Sequence, residues 1–256
     1  MKRIALAVAL TALTLAPAFG QTADEIVRTS RDRIRADTVS TRSRMVIQDK
    51  DGSTTERLVD QYTSKGKSGD KTMIVFQKPA SVAGTRFLTV ENEGKADDRW
   101  IFLPSLGKVR RIAASEGSGS FMGTDLSYDD VSSADRDADA DAHVLLREEP
   151  LEGAACWVIE SKPKDPDYQY GKMVSWIEKA TSIAKRIEMY DKKGGLVKVL
   201  EIGEVQDVQG RLTPKRTKVS TVQAKTSTTI SVEIVKYDDK IPESVFTTRF
   251  LETGRP

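Results

Sequence analysis

His143 and Cys156 are the only histidine and the only cysteine in the sequence, so the chemistry they could do is narrow. A thiol and an imidazole can form a nucleophilic pair, but nothing around either residue supports one. Cys156 sits between Ala155 and Trp157 in an alternating run, where a free cysteine acts as a small hydrophobe. One cysteine excludes an intrachain disulfide framework and a cysteine-rich zinc site, and one histidine excludes a multi-histidine metal centre. Asp135, Asp137, Asp139 and Asp141 alternate ahead of His143 and offer hard oxygen ligands. A calcium loop of this kind also needs glycine at its sixth position and glutamate at its twelfth. Ala140 and Leu146 stand there instead, so the run reads as a solvated acidic loop. No metal and no cofactor is expected.

Gly117-Ser118-Gly119-Ser120 is glycine-rich but lacks the Gly-Lys-Ser/Thr ending of a phosphate loop and the spacing of a nucleophile elbow. Backbone flexibility or a close backbone approach is the simpler reason for these glycines. Lys108, Arg110 and Arg111 form a small basic cluster, a charged strand face or a contact for lipid headgroups or an acidic partner. Apolar residues surround it. Trp100, Phe102 and Leu103 precede it, and Phe121, Met122, Leu126 and Tyr128 follow. Trp100 and Phe102 share a face at period two. The glycine-flanked Phe121-Met122 pair reads as a movable apolar flap, since methionine adapts to irregular apolar partners.

The elements that would carry these residues are mostly strands. Residues 22–36 form one amphipathic helix, with Thr22 and Glu25 placed for a capping box. Alternating runs then follow at 39–49, 54–64, 71–78, 85–91, 98–103 and 108–113. Residues 114–142 break the alternation, with a short helix or irregular loop at Leu126 to Val131. Alternation returns at 143–149, 155–161, 172–178, 183–190, 196–206, 212–222 and 228–237. Asp51-Gly52 between two such runs is a hairpin signal. Ten to thirteen strands at this spacing indicate a sandwich or barrel with antiparallel pairing rather than a βαβ sheet.

The 256 residues carry 40 Lys+Arg and 38 Asp+Glu, without the basic surplus of a nucleic-acid binder. Residues 1–20 have the physics of a cleavable secretory signal. Lys2 and Arg3 lead an uncharged, mostly apolar stretch, Ile4 to Leu15, and Ala18-Phe19-Gly20 places small residues for cleavage before Gln21. That stretch is too short to span a bilayer, which takes about 20 residues. Cleavage leaves one domain, 21–256, with 38 basic and 38 acidic side chains. No cysteine stands near the cut to take a lipid anchor, so the expected location is extracytoplasmic and soluble.

Two segments resemble a known family. They are Asp98-Arg99-Trp100-Ile101-Phe102-Leu103-Pro104-Ser105-Leu106-Gly107-Lys108-Val109-Arg110-Arg111-Ile112 and Gly119-Ser120-Phe121-Met122-Gly123-Thr124-Asp125-Leu126-Ser127-Tyr128-Asp129-Asp130. Together they resemble the signature of the outer-membrane lipoprotein-sorting protein family, the LolA-like group. The tail Ile241-Pro242-Glu243-Ser244-Val245-Phe246-Thr247, read as the end of the last strand, also fits. The resemblance implies a mainly β fold, a half-open antiparallel β-barrel with covering helices. It further implies a periplasmic, non-enzymatic carrier of lipid or lipoprotein acyl chains toward the outer membrane. The partners it implies are an RND-type inner-membrane exporter and an outer-membrane acceptor. An accessory protein of such an exporter, with a filled core and no cargo, is the alternative.

On this resemblance the expected cavity or lid residues are Trp100, Phe102, Phe121, Met122, Leu126, Tyr128, Met173 and Trp176. Met173 and Trp176 fall on opposite faces of an ideal strand, so one of them must lie outside unless a bulge intervenes. Arg44 and Arg86, by strand location, and Lys108 and Arg110, by charge, are the expected headgroup or partner contacts.

Overall fold

Period-two alternation specifies which side chains point the same way, and hydrogen-bonded register then decides which strands share that face. In the computed structural model the described residues are 21–66, 69–92, 95–132 and 137–255. The expected secretory signal, 1–20, lies outside them, as does Asp135 of the acidic run. The first element is helix α1 (Ala23–Asp32). The Thr22 hydroxyl accepts from the Glu25 N–H at 3.2 Å, and the Glu25 carboxylate accepts from the Thr22 N–H at 2.8 Å, forming the expected capping box. The helix ends at Asp32, not at residue 36. The following residues carry the chain to the first strand, and Ile34 and Ala36 join a cavity wall instead of a helical stripe.

Thirteen strands follow among the described residues. Six come first: β1 (Thr38–Gln48), β2 (Thr54–Ser64), β3 (Lys71–Lys78), β4 (Arg86–Val90), β5 (Asp98–Leu103) and β6 (Lys108–Arg111). A crossing segment contains the short helix α2 (Tyr128–Ser132). Then come β7 (Asp141–Leu151), β8 (Ala154–Pro163), β9 (Lys172–Glu178), β10 (Ala184–Tyr190), β11 (Leu196–Val208), β12 (Arg211–Thr221) and β13 (Thr226–Tyr237). All neighbours pair antiparallel in one sheet, ordered β6-β5-β4-β3-β2-β1-β13-β12-β11-β10-β9-β8-β7. Every run expected from alternation is a strand. At the first hairpin Gly52 takes φ +87°, which only a residue without a Cβ adopts freely.

This order has a consequence for the chain. The first six strands step outward from β1, and the last seven return from the far edge until Val39 of β1 lies opposite Tyr237 of β13. The chain between β6 and β7 must therefore pass from one edge of the sheet to the other. Its described residues, 112–132 and 137–140, lie along one face, here called inner. Phe121 of that segment packs in one buried cluster with Ile47, Val59, Ile74, Phe76, Phe87 and Ile101. The register confirms that these share a face: Val59 opposes Phe76, Ile74 opposes Phe87 and Phe87 opposes Ile101.

The outer face of the same strands is covered too. Tyr62, Met73, Leu88 and Trp100 form a cross-strand ladder buried beneath Val245, Phe246 and Leu251. These belong to a 3₁₀ turn, Glu243–Phe246, and helix α3 (Thr248–Thr253). The tail is thus a helical cover over β2–β6 rather than the end of β13, which stops at Tyr237.

Candidate functional site

The inner face is filled at one end and hollow at the other. The hollow is a cavity of about 490 Å³. Met173 opposes Met189, Ile187 opposes Leu200 and Leu200 opposes Val219, giving a continuous apolar wall over β9–β12. Gln61 and Thr63 of β2 and Ser161 of β8 line the same space. These strands stand far apart in the sheet order, so the sheet must curl around the hollow. Val27, in the middle of α1, Ile34, just beyond its end, and Leu126 of the crossing segment line it further.

The filled end is a plug. Phe121 is 1% exposed, with ring centroids 5.1 Å from Phe87, 5.8 Å from Phe76 and 5.6 Å from Tyr128, at distances where aromatic pairs add stability beyond their buried area. Polar anchors hold the segment. The buried Asp125 carboxylate accepts from the hydroxyls of Thr221 at 2.6 Å and Thr228 at 2.7 Å, and from Thr226. Asp130 accepts from Lys198 at 2.6 Å, Tyr170 at 2.8 Å and Gln169 at 3.0 Å. Arg57 donates to the Met122 carbonyl at 2.6 Å, and Arg99 pairs with Asp129. A Cβ on Gly117 would collide with the Asp129 carboxylate, so the glycine-rich stretch does serve a close backbone approach. Burial pushes the Tyr170 phenol well above its ordinary range, and the neighbouring Asp130 adds to the shift.

His143 and Cys156 do not meet. His143 Nε2 lies 2.8 Å from the Ala138 carbonyl and Nδ1 lies 2.8 Å from Ser161 Oγ. A carbonyl only accepts, so Nε2 carries the proton and Nδ1 accepts from Ser161. The pair ties the turn at Ala138 to β8. Cys156 is buried in a cluster with Val158, Val174 and Trp176, which share its face of the sheet, opposite to that of Ser161.

Of the eight expected cavity or lid residues, Met173 and Leu126 line the hollow. Trp100 and Phe102 do not, since they lie on the outer face under α3. Their shared parity was legible, but β5 is covered on both faces and the inner one is held by Ile101. Trp176 is also on the outer face, as opposite parity to Met173 requires. Phe121, Met122 and Tyr128 belong to the plug, so the expected apolar flap is packed against the core of the inner face. The four expected headgroup contacts are not in the cavity wall. Arg44 pairs with Glu56 and Glu233 on the surface. Arg86 donates to the Leu251 and Glu252 carbonyls, capping the C-terminal end of α3. Lys108 is exposed on the edge strand β6, and Arg110 pairs with Glu116.

Sequence reasoning missed Ile187, Met189, Leu200 and Ile202. Their signal was alternation against charge: Ile187 stands between Arg186 and Glu188, which pair with each other at 2.9 Å on the outer face. It also missed Arg31, Arg33 and Lys65, the cations lining the cavity. Nothing in their local spacing distinguishes them from other surface cations.

An open antiparallel sheet wrapped around an apolar hollow, with a crossing segment on its inner face, is a LolA-like fold. Three solved structures share it. A DUF1329 family protein from Desulfovibrio piger is 29% identical with a TM-score of 0.85, over 90% of this chain and 97% of its own. A Vibrio parahaemolyticus domain described as outer membrane lipoprotein-sorting is 27% identical with a TM-score of 0.84, over 90% of this chain and 98% of its own. A LolA superfamily protein from Nitrosomonas europaea shares the fold at 18% identity and a TM-score of 0.74, over 90% of this chain and 100% of its own. No curated protein sequence matches the chain. A family model described as "-like: Uncharacterized protein" matches residues 68–253, and the chain belongs to that family, with structural neighbours among DUF1329 and LolA superfamily proteins.

Proposed function

We propose that the chain is a non-enzymatic carrier that shelters a lipid or lipoprotein acyl chain in the inner-face cavity while it crosses an aqueous gap. The observation that carries this reading is the continuous Met173–Met189 and Ile187–Leu200–Val219 wall around about 490 Å³ of space. That volume lies within the range of ligand sites, about 300–1,000 Å³. A methylene group takes up about as much room as a water molecule, roughly 30 Å³, so the hollow suits one chain of about sixteen carbons. Burying each methylene contributes about 0.8 kcal/mol. The likeness to the lipoprotein-sorting domain supports the same reading.

In this reading the working protein is a single domain, residues 21–256, released into the periplasm when residues 1–20 are removed. A membrane exporter of the RND type would supply the cargo and an outer-membrane acceptor would take it. The alternative, an accessory protein with a filled core, is disfavoured by the hollow. The test is native mass spectrometry of residues 21–256 purified from an exporting host. Bound acyl species should be present, and Leu200→Trp, which fills the cavity, should lose them while keeping the fold. Absence of bound lipid, together with no uptake of a fatty acid by the delipidated protein, would refute the carrier reading.

A further inference from the structure

Five charged residues line the cavity: Arg31, Arg33, Lys65, Asp37 and Asp130. Their partners are unequal. Asp130 is neutralised by Lys198 at 2.6 Å. Arg31 faces Asp141 at 3.3 Å, and Lys65 faces Asp70 at 3.6 Å. Asp37 is exposed to solvent. Arg33 is half-buried, and its guanidinium donates to the Leu212 carbonyl at 2.6 Å. Among the described residues no carboxylate stands within ion-pair distance of it.

A partly desolvated cation beside an apolar wall is costly unless an opposite charge meets it. Burial accordingly pulls the Arg33 guanidinium below its ordinary pKa. Guanidinium groups also present several donors in a planar fork, which matches a carboxylate or phosphate. One bond to a main-chain carbonyl leaves most of that fork open. Arg33 follows the last residue of α1, beside Ile34 and Ala36, which are also in the cavity wall. An acyl chain lying along β9–β12 would therefore leave its polar end near this residue.

We propose that the cavity selects an anionic amphiphile, one acyl chain ending in a carboxylate or a phosphate, whose headgroup pairs with Arg33. The inference rests on the carrier reading and adds the charge of the cargo to it. An arginine serving only to tie α1 to the Leu212 carbonyl would change folding stability but not ligand preference.

The experiment is calorimetric titration of delipidated residues 21–256 with four probes: myristate, monomyristoyl phosphatidate, monomyristoyl glycerol and inorganic phosphate. The two anionic lipids should bind at least about tenfold more tightly than the neutral glycerol ester. Phosphate alone should not bind, which separates a lipid headgroup from a free anion. Arg33→Gln should erase the tenfold preference and leave the glycerol ester within about twofold of its original affinity, while Arg33→Lys should keep part of the preference. Ser30→Asp keeps Arg33 and its carbonyl bond but sets a carboxylate one helical turn away. It too should abolish the preference, which guards against Arg33→Gln failing to fold. Equal affinity for charged and neutral chains, or equal losses for both in Arg33→Gln, would overturn the anionic proposal and leave the carrier reading standing. Failure of every lipid to bind would overturn both.

Discussion

Replacing Asp125 with alanine tests whether the crossing segment is a fixed plug. The Asp125 carboxylate is 6% exposed and accepts three threonine hydroxyls, from Thr221, Thr226 and Thr228. Its own N–H donates to Thr228 Oγ1 at 2.9 Å. A hydrogen bond to a charged group contributes about 1.5–3 kcal/mol, so three lost together would cost at least about 4 kcal/mol if every hydroxyl were stranded. Thr221 and Thr226 are only half-buried and recover water, whereas Thr228 is fully buried and does not. The expected net loss is therefore about 3 kcal/mol. A chain of this size loses about 2–4 °C of Tm per kcal/mol, so Asp125→Ala should melt about 6–12 °C lower by circular dichroism. Hydrogen exchange should locate the damage first in residues 119–132. Thr228→Val should lose less, and a double-mutant cycle with Asp125→Ala should show coupling of about 1–2 kcal/mol. A drop below about 2 °C, with faster lipid exchange and an unchanged fold, would mean that the segment opens as a lid and that the plug assignment is wrong.

The phenols give a pH prediction. Unfolded tyrosine ionises near pH 10, while Tyr190 is pushed up to about 12 by its hydrogen bond to Glu188 and Tyr170 is pushed up further by burial. Folded pKa values above the unfolded ones mean that this stability is intact below pH 10 and drains away as pH rises past it. Urea unfolding at pH 8, 10 and 11 should show that fall, and Tyr170→Phe should flatten it while losing about 1 kcal/mol at neutral pH. Cys156 is fully buried and its thiol is raised by burial, so a thiol reagent should modify the native protein only as fast as it opens and react at once in urea. In a series of saturated fatty acids, affinity should rise about fourfold per added methylene and level off near sixteen carbons, where the cavity is full; an early plateau would place the chain elsewhere.

All thirteen strands were legible because nearly every one alternates apolar with polar or charged residues, and register follows from short turns such as that at Gly52. What alternation cannot supply is which face is inside. In β5 the larger side chains, Trp100 and Phe102, point outward, and the smaller Ile101 points in. The deciding element, α3, has six residues, too few for a helical period to stand out from the sequence of the tail. The crossing segment was recognisable as a break in alternation, and its apolar content was correctly noticed. Its anchoring was not, because Asp125 is held by threonines about a hundred residues away, a relation that no local pattern carries. The cavity itself is a property of sheet curvature, which has no sequence period at all.

The two halves of the inner face differ less in chemistry than in coverage. Over β2–β5 the wall of Val59, Ile74, Phe76, Phe87 and Ile101 receives Phe121 and Tyr128 from the crossing segment. Over β9–β12 the wall of Met173, Ile187, Met189 and Leu200 is as apolar, yet among the described residues of the segment Leu126 and Asp130 alone reach the space. Left dry and empty, 490 Å³ of such space would cost about 12 kcal/mol at the rate measured for core cavities, close to the whole stability of a typical domain. It is therefore not an empty core. In the carrier reading water would fill it until something apolar displaced it, and about sixteen buried methylenes would then gain roughly 13 kcal/mol before association costs. Those costs take back at least about 4 kcal/mol, leaving room for binding near the micromolar range, tight enough to hold a chain in water and weak enough to release it. In the carrier reading a plug anchored at Asp125 and Asp130 would serve that balance: it keeps half the sheet covered, so the fold would not depend on a cargo occupying the other half.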